Sequence, residues 1–156
     1  LVIVLTFGAV LAVYPPARQW VARWFETYTS FTFPGTSNAY RTPDGLCVDY
    51  LPEGFEPSEQ IVSGVRIILT FTNPDAQVIR LQYSPQESSN FLFDNEHQTY
   101  QEIILDDGTS AILMVANDGE DFNSLTWVNS NIEVAFALIG ECDSNELVKM
   151  ANSIHA

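Results

Sequence analysis

Histidine, the side chain most often used for acid–base chemistry near neutral pH, is scarce in this sequence. His97 lies in a polar stretch, and His155 is next to the last residue. A Ser–His–acid triad also needs a nucleophile on a sharp turn, and the Gly-x-Ser-x-Gly pattern does not occur. The His-Glu-x-x-His zinc pattern, the phosphate-binding loop and the dinucleotide-binding glycine pattern do not occur either. We therefore expect a protein that is not an enzyme and uses no cofactor.

Other residues with chemical potential are better explained as structure. Asp106 and Asp107 are a carboxylate pair suited to acid–base work, but Gly108 follows them between two apolar runs, which is typical of a hairpin turn. The stretch from Asn117 to Asp121 has oxygens suited to Ca²⁺, yet it lacks the EF-hand spacing and the distal Glu. Trp127 suits a carbohydrate or peptide site, although a Trp in an alternating strand is more often core. No metal site is predicted.

Two cysteines, Cys47 and Cys142, lie 95 positions apart. No Cys-x-x-Cys pair occurs, which excludes a zinc ribbon or a thioredoxin-type centre. Outside the cytoplasm, two cysteines in one domain are candidates for a disulfide. The alternative is two unrelated thiols, and the sequence leaves both interpretations open.

The charge balance is acidic, with 20 Asp and Glu against 6 Lys and Arg, a net charge of −14. A nucleic-acid partner needs a basic patch that neutralises phosphates, and none is visible. An anionic membrane surface would also repel the globular part. The charge by itself favours solubility, and a protein partner stays open.

The first residues form an uncharged apolar run, from Leu1 to Tyr14, which Pro15 and Pro16 end. Fourteen residues span roughly 21 Å, short of the roughly 30 Å hydrocarbon core, so missing turns of a membrane segment are expected upstream of Leu1. A signal-peptide core and a buried element of the fold are the alternatives. The first two interpretations put the rest of the chain outside the cytoplasm.

An amphipathic helix is predicted after the prolines. Ala17, Trp20, Val21 and Trp24 recur at helical spacing and form one apolar face. Trp20 and Trp24 suit the membrane interface, where an amphipathic ring lies at headgroup level, and they suit equally a face packed on the domain. Residues 27–45 are predicted to be a linker with a short strand at 30–33.

From residue 48 the pattern becomes β. Alternating apolar residues and turn signals predict consecutive strands joined by short turns, hence an antiparallel sheet. The stretch 85–98 is predicted to be a loop in which Phe91 and Phe93 pack inward. A helix from Asp143 to His155 is predicted to cover the sheet with an apolar stripe, and Asp143 and Glu146 form a capping-box pattern. The predicted strands cover residues 54–63, 65–72, 79–83, 99–105, 109–116, 124–128 and 132–138.

The fold class is thus α+β: one curved antiparallel sheet of about six or seven strands, a C-terminal helix packed on it, and an N-terminal apolar and amphipathic helical segment. Three parts are expected. Residues 1–16 are the end of a transmembrane or signal segment, 17–47 are the amphipathic helix and linker, and 48–156 are the globular domain.

Two motifs carry a resemblance to a known family. Asp49-Tyr50-Leu51-Pro52-Glu53-Gly54-Phe55-Glu56 opens the domain, and Glu146-Leu147-Val148-Lys149-Met150-Ala151-Asn152-Ser153-Ile154 closes it. With the hairpins and the Trp-containing strand between them, they resemble DUF4367, a family of domains of unknown function in Gram-positive bacteria. The resemblance covers about residues 48–154. It implies a membrane-anchored extracytoplasmic domain, similar to those of anti-sigma factors, related regulators and lipoproteins, and it implies no catalytic residues.

Three functions remain open. The first is a non-catalytic extracytoplasmic sensing or interaction domain tethered to the cell membrane through the N-terminal segment and regulatory in the manner of an anti-sigma factor. The second is a binding or carrier module for an apolar ligand, and the third is a hydrolase of unrecognised type. An open apolar cavity between the sheet and the helix would favour the carrier module. A nucleophile, a base and an orienting group within hydrogen-bond reach would favour the third.

Overall fold

A computed structural model describes residues 21–24, 28–32, 46–94, 98–117 and 122–155. Twelve strands and one α-helix follow one another along these residues, with a short 3₁₀ helix at Gln86–Ser88. The elements are β1 Val21–Trp24, β2 Tyr28–Thr32, β3 Cys47–Val48, β4 Glu56–Ser63, β5 Arg66–Thr72, β6 Val78–Pro85, β7 Asn90–Asp94, β8 Gln98–Ile104, β9 Ser110–Ala116, β10 Asn123–Asn129, β11 Val134–Gly140, α1 Ser144–Asn152 and β12 Ile154–His155.

Seven strands form one antiparallel sheet in the order β4-β5-β6-β11-β10-β9-β8. It consists of two meanders, β4-β5-β6 and β8-β9-β10-β11, that meet where β11 pairs with β6. Three further strands form a small antiparallel sheet, β1-β2-β7, and β3 pairs with β12 in a two-stranded ribbon. The predicted α+β class, the antiparallel sheet and its number of strands are confirmed.

Tight turns set the register of the hairpins. Gly64, at φ +59°, turns β4 into β5, and Gly108, at φ +85°, closes the Asp106–Asp107 turn between β8 and β9. These positive φ values cost glycine little, because it has no Cβ to clash with the backbone. Asp106 and Asp107 are therefore turn residues, as expected.

The central strands of the sheet are buried on both faces, and their side chains alternate between the two faces. Leu138, Phe136 and Val134 of β11 face α1, whereas Ala135 and Ala137 face the opposite side, where they pack in a cluster with Phe91 of β7. The two alanines are small enough to leave room for the aromatic ring. These small side chains thus allow the close approach of β7, and Phe91 is buried as expected.

Helix α1 lies on the first face. The Asp143 side chain caps it by accepting the Asn145 N–H at 2.8 Å, while Leu147, Met150 and Ala151 are buried in the core. Gly140 makes this docking possible. A Cβ at that position would lie 2.8 Å from Ile79 Cγ1 and 3.2 Å from Leu147 Cδ2, closer than side chains normally approach.

Several predictions of local structure were wrong. Residues 90–94 form strand β7 rather than a loop, because they pair with β2, a partner far away in sequence. The C-terminal helix ends at Asn152 instead of His155, and the last residues form β12, since pairing with β3 replaces the final helical turn. Ile154 still packs against the core, but from a strand.

The predicted N-terminal helical segment falls mostly on residues outside those that the structure describes. The apolar run of residues 1–14 and Trp20 lie outside the described residues. Val21–Trp24 form strand β1, paired with β2, so the predicted amphipathic helix does not extend over Val21 and Trp24. A few apolar residues at helical spacing are a weak signal, and pairing with a neighbouring strand overrides it. The short strand predicted near residue 30 is present as β2.

Replacing Leu147 with Asp tests the docking of the helix. Leu147 is fully buried, so the new carboxylate would lie among apolar side chains without a partner. We expect Leu147→Asp to lower the free energy of unfolding by about 3 to 5 kcal/mol, measured by urea denaturation. Asn145→Asp, on the exposed side of the first turn, is the matched control and should change it by less than about 0.5 kcal/mol. Equal effects would mean that α1 is not docked.

Candidate functional site

A pocket of about 360 Å³ opens where the C-terminal end of α1 meets the sheet. We call it the helix-end pocket. Its walls come from the end of α1, the β8–β9 turn, strands β10 and β11 and the β3–β12 ribbon. The residues that line it are Leu46, Leu105, Asp107, Trp127, Asn129, Ile132, Phe136, Ala151, Asn152, Ile154 and His155.

The floor of the pocket is an aromatic pair. Trp127 and Phe136 are opposite each other in the register of β10 and β11, and their rings stack with centroids 4.9 Å apart and planes at 9°. Tyr83 extends the row on β6, with its ring centroid 6.0 Å from that of Phe136. Cross-strand aromatic pairs of this kind stabilise a sheet. Both expectations for Trp127 are therefore compatible: it belongs to the core, and one edge of that core lines a pocket.

The rim of the pocket is polar. Asn152, at the end of α1, accepts the Asp106 N–H at 3.0 Å and so ties the helix to the β8–β9 turn. His155 Nε2 lies 2.9 Å from the Asp49 carboxylate. Asp107 accepts the Thr109 N–H at 2.8 Å. Apolar side chains at the base and polar groups at the mouth are both usual in small-molecule sites, and here polar atoms form more than half of the accessible lining.

The ribbon that forms one wall also holds the two ends of the domain together. The Ser153 hydroxyl accepts the Tyr50 N–H at 3.1 Å, and the Ser153 carbonyl accepts the Asp49 N–H at 3.4 Å. Farther along the helix, the Tyr50 hydroxyl donates to the Glu146 carboxylate. Leu46, at the rim, directly precedes this ribbon. The pocket therefore lies at what we call the chain entry, residues 46–50, which come after β1 and β2 and lead into the seven-stranded sheet.

Glu146 has a different role from the one its spacing predicts. Its carboxylate bonds Lys149 Nζ at 2.6 Å and the Tyr50 hydroxyl, instead of completing a capping box with Asp143. The bonds from Lys149 and Tyr50 lower the pKa of Glu146, while the bond to Glu146 raises the pKa of Tyr50. This cluster fastens the chain entry to the first turns of α1.

A second, larger cavity of about 770 Å³ lies at the other end of the helix, but its polar groups already serve the fold. Glu141 accepts the Val78 N–H at 2.9 Å, and Asp143 caps α1. Asn123 accepts the Ala116 N–H at 2.9 Å and donates to the Cys142 carbonyl at 2.7 Å. Within the described part of the chain, no group of three His, Cys, Asp or Glu side chains is arranged to hold a metal ion.

The two cysteines are thiols, and the disulfide is not formed. Cys142 lies just before α1, whereas Cys47 pairs with His155, just beyond the other end of the helix. Nine helical residues rise about 14 Å, well beyond the roughly 7 Å between Cα atoms that a disulfide tolerates. Burial, with the nearby Glu146 and Asp143 carboxylates, raises the pKa of the Cys142 thiol to about 12.

The ribbon brings together a thiol, a carboxylate and an imidazole, those of Cys47, Asp49 and His155. The sequence does not predict this grouping, because His155 lies far from the other two residues along the chain. Cys47 and His155 are register partners, and Asp49 bonds the imidazole. All three side chains are exposed to solvent. Their exposure differs from the water-excluded setting in which nucleophilic catalysis usually takes place.

The remaining candidate residues fall as follows. Trp24 is in β1, while Trp20 and His97 lie outside the described residues. Asn117 accepts the Thr99 hydroxyl at 2.6 Å, and residues 118–121, the rest of the candidate Ca²⁺ stretch, lie outside the described residues.

Comparison with known families gives domain boundaries that coincide with the β3–β12 ribbon. Residues 47–154, more than two thirds of the chain, match the family described as Domain of unknown function (DUF4367). The chain belongs to the DUF4367 family. The DUF4367 match begins at Cys47 and ends at Ile154, so it starts and stops within the β3–β12 ribbon. The family unit is therefore the part of the chain that this ribbon closes.

No curated protein and no solved structure was found to match the chain. In the part of this DUF4367 chain that the structure describes, no helix has the length and apolar character needed to cross a bilayer.

The Glu146 cluster predicts a pH-dependent stability. Since the pKa of Glu146 is lower in the folded than in the unfolded chain, its stabilising effect is present above the unfolded pKa and is lost as pH falls through the folded value. We expect Glu146→Gln to lower the melting temperature at pH 7. The difference from the unsubstituted protein should close as pH falls below about 4, near the ordinary pKa of Glu. A difference that is constant with pH would contradict the assignment.

Proposed function

We propose that this chain is a non-catalytic, extracytoplasmic sensing domain, tethered to the cell membrane by its N-terminal segment, that recognises a small ligand in the helix-end pocket. The observation that carries the proposal is the pocket itself, an apolar floor formed by Trp127 and Phe136 beneath a polar rim. Its volume, about 360 Å³, is within the range of ligand sites.

The position of the pocket supports a sensing role. The pocket is lined by Leu46, just before β3, and by Ile154 of β12. From the helix it is lined by Ala151 and Asn152. A ligand seated there touches both the entry of the chain into the domain and the end of α1. Binding energy at the pocket therefore acts on the contacts between residues 46–50 and the end of α1. The N-terminal segment itself joins the fold earlier, where β1 pairs with β2.

The size of the pocket argues for a small ligand. At roughly 30 Å³ for each water-sized atom, its volume holds about a dozen non-hydrogen atoms. That is the size of one amino-acid side chain or a small aromatic molecule, and a membrane lipid would not fit. A carrier module for an apolar ligand is the second candidate, and the apolar floor is the observation that favours it.

The membrane tether and the location outside the cytoplasm rest on the sequence. The uncharged run at residues 1–14 supports a membrane segment, and the resemblance of the two end motifs to membrane-anchored regulators supports an extracytoplasmic domain. A regulatory, anti-sigma-like role follows from the same resemblance. It would place a protein partner downstream of ligand binding.

Binding at the pocket is tested by screening a library of small aromatic and aliphatic fragments against the full chain in nonionic detergent, by ligand-observed NMR. We expect Ala151→Leu, which fills the pocket next to the aromatic floor, to abolish binding of the fragments that the unsubstituted chain binds. Ala76→Leu, at the larger cavity beyond the other end of the helix, is the control and should retain it. Hits that bind both variants equally would refute the helix-end pocket as the site. Displacement by a fatty acid short enough for the pocket, such as octanoate, would instead favour the carrier.

The location is tested with the native cysteines. Cys47 is exposed, whereas burial and nearby carboxylates keep the Cys142 thiol protonated at neutral pH. In intact cells that express the full chain, a membrane-impermeant maleimide should label Cys47, and Cys47→Ser should abolish the labelling. Cys142→Ser should leave it unchanged. If the maleimide labels the chain only after the cells are lysed, the domain is cytoplasmic and the location is wrong.

A further inference from the structure

Strand β4 is the edge of the seven-stranded sheet, and it is open. It pairs with β5 on one side, and among the described residues no strand pairs with its other side. All eight of its residues are exposed, so neither face of the strand is covered. The opposite edge, β8, differs, because Tyr100 and Ile103 of that strand are packed against the core.

The second half of β4 has the features of a strand that accepts another strand. Natural sheets protect edges with prolines, bulges and lysines. Here Pro57 and a register shift between Pro57 and Glu59 lie in the first half, while Glu59–Ser63 keeps regular register with β5. This half also displays apolar surface, since Ile61 is 43% and Val62 63% exposed.

The direction of the free hydrogen-bonding groups follows from the register. Ser63 and Arg66 are register partners that flank a two-residue turn, and the closing pair of such a hairpin is a hydrogen-bonded pair. In an antiparallel ladder the bonded pairs alternate with pairs whose N–H and C=O groups point away from the partner strand. Gln60 and Val62 therefore direct theirs to the open edge, where an added strand would bond them.

Charge distinguishes between the candidate occupants of this edge. Glu56 and Glu59 lie on β4, which has no basic residue. Beyond residue 45 the sequence has eighteen acidic residues against three basic ones, Arg66, Arg80 and Lys149. A second copy of the chain would bring two strongly acidic domains together, and an anionic membrane surface would be repelled as well. An extended segment with positive charges meets neither penalty.

We propose that the open edge of β4 docks an extended segment of a partner protein, rich in basic and apolar residues, by strand addition. Main-chain bonds from Gln60 and Val62 supply affinity, as in other complexes formed by adding a strand to a sheet edge. Ile61 and Val62 contact apolar side chains of the segment, and Glu59 pairs with a Lys or Arg. This interface is separate from the helix-end pocket and stands whether or not that pocket binds a ligand.

The test measures binding of a fluorescent peptide to the full chain in nonionic detergent, by anisotropy. The peptide is about ten residues long and alternates Lys with Val, a length that matches the edge strand. We expect saturable binding. Val62→Lys should weaken it about tenfold or more through lost apolar contact and charge repulsion. Ile104→Lys, which makes the same change of charge on the opposite edge, should leave it within about twofold.

Two further probes test the mode of binding. A Lys–Val peptide methylated on alternate backbone nitrogens cannot form the edge bonds and should bind about tenfold more weakly or worse. Val62→Pro, which removes a donor that points away from β5, should have the same effect while leaving the melting temperature nearly unchanged. A Glu–Val peptide should not bind.

The opposite outcomes overturn the proposal. The proposal is wrong if Val62→Lys and Ile104→Lys weaken binding of the Lys–Val peptide equally. It is also wrong if the methylated peptide or the Glu–Val peptide binds as tightly as the Lys–Val peptide, or if the Lys–Val peptide shows no saturable binding. Sedimentation provides one more. If the full chain self-associates and Val62→Pro makes it monomeric, the edge is occupied by a second copy, and the basic partner is wrong.

Discussion

The fold depends on one close contact, the approach of α1 to β11 at Gly140. Leu147 and Met150 are fully buried on that face, and a Cβ on Gly140 would clash with Ile79 of the neighbouring strand at 2.8 Å and press against Leu147 at 3.2 Å. Everything on that face follows from this contact. The aromatic row is covered, Ser153 is brought to the chain entry, and β12 is delivered to β3. A helix held farther away would leave the ribbon unpaired and the helix-end pocket without a wall.

The aromatic row and the ribbon together define the candidate site. Trp127 and Phe136 are held by main-chain register, so the floor is rigid and formed before any ligand arrives. The walls are short segments held by a few bonds, among them Asn152 to Asp106 and Tyr50 to Ser153. A rigid floor beneath walls with few bonds is an arrangement in which a ligand can shift the walls at small energetic cost.

Much of the fold could be predicted from the sequence because its strongest signals are local. The Asp107-Gly108 turn and the alternation of β5, β6, β9, β10 and β11 gave the sheet, and Asp143 gave the start of α1. What failed was non-local. Strand β7 exists because it pairs with β2, and the helix ends early because β12 pairs with β3. The turn signal after Asn129 places β10 and β11 side by side, and with the correct register it aligns Trp127 with Phe136. No signal in the nearby sequence indicates that the ribbon closes the pocket above these two rings.

The place of β11 in the sheet has a consequence for biosynthesis. Strand β11 joins the two meanders, and it is the last strand of the sheet to be translated. Until it emerges, β6 and β10 present unsatisfied edges, and neither meander has α1 to cover its apolar face. A nascent chain therefore gains little from folding early, and the sheet closes in a late step of high contact order. The unpaired edge of β6, with Ile79 and Leu81, is the surface that a chaperone would need to cover until β11 pairs with it.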